Sequence, residues 1–246
     1  MKIVHMSDLH ITEYGREIWE TDTKTHFDKA IEYISKLNDI DAIIVTGDIS
    51  DDGSEWSYNY VSKVFEQFAI PVICCPGNHD KKEKMNLLTS CHLEELVELG
   101  DWKILNLDST LPEMARGGFD AKTMRYIESE LSRDNKPTII AFHHPSLEPG
   151  GWLNRKLLEG RELFNDYISN KASVKLILYG HTHYPIMHNV GSKIFSSAPS
   201  IGFAFDKDLP KFQIANGKEG FNIIEIEKCD IQIHTVHLNN TLLQNK

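Results

Sequence analysis

The run Ala42-Ile43-Ile44-Val45-Thr46 breaks off at Gly47-Asp48, and the same event recurs along the chain. A short apolar stretch, often β-branched, ends at a glycine, a proline or a polar turn that carries aspartate, asparagine or histidine. Runs of this length bounded by turn signals read as buried strands, so Asp48 is delivered to the carboxyl edge of a sheet. A carboxylate has two oxygens, and one aspartate in that position can hold two cations, which lie about 3.5 to 4 Å apart in two-metal hydrolases.

Four more strand ends supply groups of the same kind. Residues Lys2 to Met6 lead into Ser7-Asp8-Leu9-His10, where an extended backbone would point Asp8 and His10 to one face. Pro71 to Cys75 leads into Pro76-Gly77-Asn78-His79-Asp80, a turn that offers a neutral oxygen ligand in Asn78 and a proton donor in His79. Thr138 to Phe142 ends at His143-His144-Pro145. The residue before proline is conformationally restricted, so His143 is the one expected to face a metal and His144 to be structural or to stand behind it. Lys175 to Tyr179 ends at Gly180-His181-Thr182-His183, an H-x-H pair behind a glycine that permits close backbone approach. Open α/β sheets bind ligands at the carboxyl ends of their strands, so the five motifs are expected to converge in one crevice.

The intervening segments read as packing elements. Apolar residues at helical spacing predict helices over residues 21–37, 54–68, 122–131 and 155–167, with a polar then helical stretch over 81–100. Trp102 to Leu107 reads as a strand ending at Asp108, which either stands behind the site or caps its own strand end. Residues 193–197, 221–226 and 231–238 read as further strands forming a second sheet packed on the first. His188, His234 and His237 lack metal spacing and read as surface or core histidines.

The chain of 246 residues is 41% hydrophobic and 25% charged, with no Pro/Ser/Gly linker at which to divide it, so residues 1–246 are expected to form one domain. Its formal net charge of −10 argues against a broad basic face and hence against duplex nucleic acid as a partner. Acidic residues gathered around metals can still leave a locally positive site for a small anion. The cysteines at 74, 75, 91 and 229 show neither metal-binding nor redox spacing and suit a reducing compartment. No apolar run approaches the roughly 18 residues a spanning helix needs, so no membrane partner and a cytoplasmic location are expected.

In order and spacing the motifs D-x-H, G-D, G-N-H-D, H and G-H-x-H resemble those of the calcineurin-like metallophosphoesterases. Within that superfamily the chain is most similar to bacterial class III cyclic-nucleotide phosphodiesterases, through DISDDGS, LNLDS, GGFDAKTMRYIESEL, HHPSLEPGGWL and SSAPSIGFAF. It departs from them at Ile201, where they carry Thr, and over the segment from Asp206 to Lys211. The resemblance implies an α/β fold, a four-layer α/β/β/α sandwich of two mixed sheets flanked by helices. It implies two divalent or mixed-valence ions, one held by Asp8, His10, Asp48 and His183, the other by Asp48, Asn78, His143 and His181. Mixed N/O ligands suit Mn and Fe, and also Zn or Co.

The expected activity is hydrolysis of a cyclic nucleotide such as 3′,5′-cAMP, or a related small phosphodiester, by a metal-bridged hydroxide. His79 would stabilise the transition state or protonate the leaving alkoxide. Asp80 either orients His79 or is a plain turn carboxylate. Another small phosphodiester or a phosphomonoester is the alternative substrate class, and a non-catalytic metal-binding scaffold is the reading from outside the enzymes. Trp152, Phe203 and Phe205 either stack on a base or cap the core. A homodimer is implied only by the resemblance.

Overall fold

The computed structural model describes residues 1–208, 211, 213–228 and 230–239, and the backbone but not the side chain of Trp152. In chain order the strands are β1 (Lys2–Met6), β2 (Ala42–Thr46), β3 (Val72–Cys75), β4 (Leu96–Leu99), β5 (Trp102–Asn106), β6 (Gly117–Gly118), β7 (Thr138–Ala141), β8 (Leu158–Glu159), β9 (Val174–Tyr179), β10 (Ile186–Val190), β11 (Lys193–Ser197), β12 (Gly220–Glu227) and β13 (Asp230–His237). The helices are α1 (Thr23–Ile34), α2 (Glu55–Phe65), α3 (Ala121–Arg133) and α4 (Arg161–Ser169). Asp22, Ser54 and Asp120 cap the first three, each accepting from a backbone N–H three residues on.

Two large sheets form, in the orders β13-β12-β1-β2-β3 and β10-β11-β9-β7-β5-β4. In the first, β1, β2 and β3 run parallel; in the second, β5, β7 and β9 do. Their side chains alternate between two destinations. Val4, Met6, Ile43 and Val45 bury against Phe27, Ile31, Tyr58 and Val61 of α1 and α2. Ile140, Phe142, Ile177 and Tyr179 bury against Ile127, Leu131, Phe164 and Ile168 of α3 and α4. The residues between them, Ile3, Ile44 and Ile73 from one sheet and Ile104, Ile139, Leu176 and Leu178 from the other, meet face to face. The order of layers is therefore α/β/β/α, and the strands β2, β3, β7 and β9 read as near-continuous apolar runs because both of their faces are covered.

Several expectations change in the structure. Residues 193–238 do not make a sheet of their own: β11 joins β9 in one sheet, while β12 and β13 extend the other from β1. The motif strands are thus divided between two sheets, and the crevice is the rim the two share. Residues 81–100 form a 3-10 turn over Lys82–Leu87 and then β4, which pairs antiparallel with β5, because Val97 buries in the sheet-to-sheet core. A 3-10 turn (Gly151–Arg155) and β8 occupy the start of the helix expected over 155–167, which begins only at Arg161. Strand β10, four of whose five residues are exposed, has no apolar run to announce it. Ile201 is fully buried in the core against α1 and α2. Cys74, Cys75 and Cys91 carry free thiols, and Cys229 lies outside the described residues. Among the described residues no helix is long and apolar enough to cross a membrane.

Candidate metal centre

The five motifs meet where the parallel strands of both sheets end. The joining contacts are short: the carbonyl of Thr46, at the end of β2, accepts from Ser7 Oγ at 2.9 Å and from His143 Nδ1 at 2.7 Å. One peptide oxygen so ties the end of β1 and the end of β7, from opposite sheets, to β2. The side-chain amide of Asn106, on β5, reaches the carbonyl of Cys74, on β3, at 2.9 Å.

The backbone at the rim is not extended as the spacing of Asp8 and His10 predicts. Strand β1 ends at Met6, and Asp8 and His10 lie at φ of 54° and 48°; Asp48, His181 and His183 are left-handed too, at 51°, 66° and 58°. Aspartate and histidine tolerate this region better than most residues, yet each such position costs about 1–2 kcal/mol. A second ladder holds them there, Asp8 N–H donating to the carbonyl of Gly47 at 3.0 Å and His10 N–H to that of Asp48 at 2.9 Å. Asp8 and His10 still reach one locus, through two left-handed residues with buried Leu9 between them. Five left-handed aspartate and histidine residues gathered at one rim point to a site.

Asp8, His10, Asp48 and His183 bring their ligand atoms within 4.8 Å of one another, all buried. His10 Nδ1 faces the Asp51 carboxylate at 2.9 Å and His183 Nδ1 the carbonyl of Phe203 at 2.7 Å. Those acceptors assign the ring protons to Nδ1. The two Nε2 atoms, 3.2 Å apart, then present lone pairs to each other, and His183 Nε2 also faces Asp8 Oδ1 at 3.1 Å. Lone pairs and carboxylates that converge away from water need a cation among them. Among the described residues the ion-pair partners of Asp8 and Asp48 are histidines, with no lysine or arginine.

Asp48 Oδ2 lies 3.7 Å from His10 Nε2 on one side and 3.3 Å from His143 Nε2 on the other. Beyond it stand His143, with Nδ1 occupied by Thr46, and His181, whose Nδ1 is 3.2 Å from His143 Nε2. Three buried polar atoms here lack a partner, Asn78 Oδ1, His181 Nε2 and, on the neighbouring histidine, His144 Nε2. An oxygen and a nitrogen donor orphaned beside a shared carboxylate fit a second cation. Burial opposes charge on both Asp48 and His143, yet each offsets it in the other: Asp48 is held well below the usual carboxylate range, and His143 is pushed up to about 9. Burial, then the neighbouring His144 and His143, pulls His181 well below the ordinary imidazole value.

His79 sits at the rim, partly exposed, with Nδ1 3.3 Å from both the carbonyl and the carboxylate of Asp51. Burial lowers its pKa, but Asp48 and Asp51 outweigh that and raise it. Asp80 is placed elsewhere. Its carboxylate accepts from the amides of Ile49, Ser50 and Gly77 and from the Tyr58 hydroxyl, at 2.9–3.1 Å, so it braces the loops after β2 and β3. Burial and Asp48 push it up to about 6.

Asp51 is the residue that sequence reasoning missed: it holds both His10 and His79, and its only signal is its place in the acidic DISDDG run. His144 is fully buried, its Nδ1 2.9 Å from Ser109 Oγ, and one of its ring nitrogens falls within 4.8 Å of one from each of His143 and His181. Asp108 caps its own turn, accepting from Thr110. Phe203 and Phe205 are buried against the imidazoles of His10 and His183, Phe205 stacked on His183 at 4.1 Å and 6°. The side chain of Trp152 lies outside the described residues. A cavity of about 280 Å³ opens over His10, Asp48, Asn78 and His181, walled by Trp19, Leu153 and Lys156.

Comparison with known proteins agrees with this geometry. Residues 1–185 match the family model described as calcineurin-like phosphoesterase. The chain is similar to a 3′,5′-cyclic-nucleotide phosphodiesterase of Nostoc sp., 26% identical over 233 residues, covering 92% of this chain and 88% of the relative. It is also similar to a 3′,5′-cyclic adenosine monophosphate phosphodiesterase of Pseudomonas aeruginosa, 26% identical over 230 residues, covering 91% and 85%. Among solved structures, a dimetal phosphatase from Danio rerio shares the fold with a TM-score of 0.71 at 12% identity, covering 96% of each chain. A match over the first 185 residues, which carry every motif that the two sheets bring to their common rim, places the chain in the calcineurin-like phosphoesterase family.

Proposed function

We propose that the chain is a dinuclear metal-dependent phosphodiesterase acting on a cyclic nucleotide of the 3′,5′-cAMP kind, with Asp8, His10, Asp48 and His183 holding one ion and Asp48, Asn78, His143 and His181 the other. The observation that carries this is Asp48, whose Oδ2 stands between His10 Nε2 and His143 Nε2, with the orphaned donors of Asn78 and His181 lining the same cavity. Divalent ions bound there supply Lewis acidity toward phosphoryl oxygens and lower the pKa of a coordinated water.

The chain's own groups do the rest. His79, with Nδ1 against Asp51, turns Nε2 to the leaving alkoxide and donates its proton there. Asp80 acts on the reaction only through the loops it braces. Lys156 brings one positive charge to a cavity wall on a chain of net charge −10, which suits a substrate with a single phosphate. The two relatives named for cyclic nucleotides support that substrate class. Mn or Fe suits the mixed N/O ligand set, with Zn or Co as substitutes.

The test is a panel of cAMP, cGMP, 2′,3′-cyclic nucleotides, a glycerophosphodiester and phosphomonoesters, assayed with Mn²⁺ after elemental analysis of protein purified without added metal. Preferred turnover of a 3′,5′-cyclic nucleotide with two ions per chain is the expected result. Preference for a monoester, or a stoichiometry of one ion at full activity, would refute it.

A further inference from the structure

Residues 18–21 close a tight turn that no motif accounts for. Ile18 and Thr21 exchange both backbone hydrogen bonds, at 3.0 and 2.9 Å, and between them Trp19 and Glu20 lie at φ of 47° and 62°. Two left-handed residues in a two-residue hairpin make a type I′ turn, where Asn and Gly are the usual occupants. Trp19 therefore holds a bulky aromatic where the backbone favours a small or polar residue, against the crowding of its own Cβ.

Most of the indole lies outside the core: it is 58% exposed, and it meets Phe203 edge-on, with ring centroids 5.1 Å apart at 74°. What the turn does achieve is placement: Trp19 forms a wall of the cavity over His10, Asp48, Asn78 and His181, with Leu153 and Lys156 also lining it. Backbone strain kept beside a site is explained when the strained residue must present its side chain there. A flat π-face at the mouth of a phosphate-handling cavity takes a planar aromatic ring by stacking, whatever the hydrogen-bonding pattern of that ring.

We infer that Trp19 is the stacking platform for the nucleobase of the substrate, so that the site selects a nucleotide diester over a diester that carries no aromatic ring. This rests on the phosphodiesterase reading above and adds to it the residue that sets substrate class.

The experiment pairs two variants with two readouts. Trp19→Asn puts a turn-favouring residue at the left-handed position; Trp19→Phe keeps an aromatic face. In Trp19→Asn the thermal midpoint should equal or exceed that of the wild type. Its KM for a cyclic nucleotide should rise about tenfold more than its KM for a glycerophosphodiester, the loss falling on KM and not kcat. Trp19→Phe should recover most of the difference. Independently of turnover, titration with AMP should quench tryptophan fluorescence in the wild type and lose that component in Trp19→Phe. Equal KM changes on both diesters, or an unaltered quench in Trp19→Phe, overturn the platform. If the wild type turns over no cyclic nucleotide while AMP still quenches Trp19, the cyclic-nucleotide reading falls and the platform stands. If cyclic nucleotides are turned over and the quench does not depend on Trp19, the reverse holds.

Discussion

Asp51 serves two histidines at once, fixing His10 through Nδ1 at 2.9 Å and standing 3.3 Å from His79 Nδ1. A carboxylate behind a metal-binding imidazole sets its tautomer and raises its basicity, so in the proposed centre its loss weakens the metal and not only the local packing. Asp51→Asn should reduce metal affinity by about 10- to 100-fold in a chelator competition; unchanged affinity would show that His10 orients itself. His79 belongs to the same scale but to a different step. An alkoxide leaving group needs a proton and p-nitrophenolate does not. His79→Ala should thus lower kcat on a cyclic nucleotide by about 10²-fold or more, and on bis(p-nitrophenyl) phosphate by less than about tenfold. Matching losses on both substrates would remove His79 as the acid.

The elements matter for where they stop. Five of the proposed ligand residues follow a strand end in left-handed backbone, and glycines let the loops close together around them. A Cβ on Gly180 would lie 1.9 Å from Ser7 Oγ, 2.6 Å from the Thr46 carbonyl and 2.9 Å from Asp8 Oδ2, and the backbone oxygen at the end of β2 cannot turn aside. Gly180→Ala should therefore move the His181-Thr182-His183 loop away from Asp8 by some tenths of an ångström. Since misplacement of about 1 Å costs about 10²-fold in rate, turnover should fall by one to two orders of magnitude while the far-ultraviolet spectrum is kept. Wild-type turnover in Gly180→Ala would mean that the close approach is not needed.

At the scale of the molecule, two sheets meet through an apolar face and share one polar rim, so groups of opposite preference sit within a few residues of each other. His5 shows the consequence. It is fully buried on β1, hydrogen-bonded to Thr46 Oγ1 at 2.9 Å, and burial, opposed only in part by Asp8, lowers its pKa from 6.5 to about 3. Below 6.5 the unfolded chain takes up a proton at His5 that the folded chain refuses until pH nears 3, so stability is lost as pH falls through that window. The slope from one such proton is about 1.4 kcal/mol per pH unit. Urea unfolding of His5→Gln between pH 4 and 6 should show a pH dependence shallower by about that amount; parallel wild-type and variant curves would place the acid sensitivity elsewhere.

The candidate ligands and the strand ends that carry them to one rim were legible in the chain itself, because a strand buried on both faces is a continuous apolar run and the polar residues after it have nowhere to go but the edge. The helices α1, α2 and α3 were legible for a similar reason, through one apolar stripe each. Three matters were decided only in three dimensions. Sheet membership depended on pairing partners far away in sequence, which is why β12 lies beside β1, with β13 outside it, and not with β11. Asp8 and His10 meet through left-handed backbone held by the loop after β2, a conformation no local propensity would choose. Asp51 is marked only by its place in the acidic DISDDG run, and Trp19 carries no signal of its own. Their roles arise from what the folded rim puts within 3.3 Å of one carboxylate and around one cavity. Periodicity along a chain records which side of an element is buried, whereas a site is made of side chains from separate elements, and only packing fixes the distances between those.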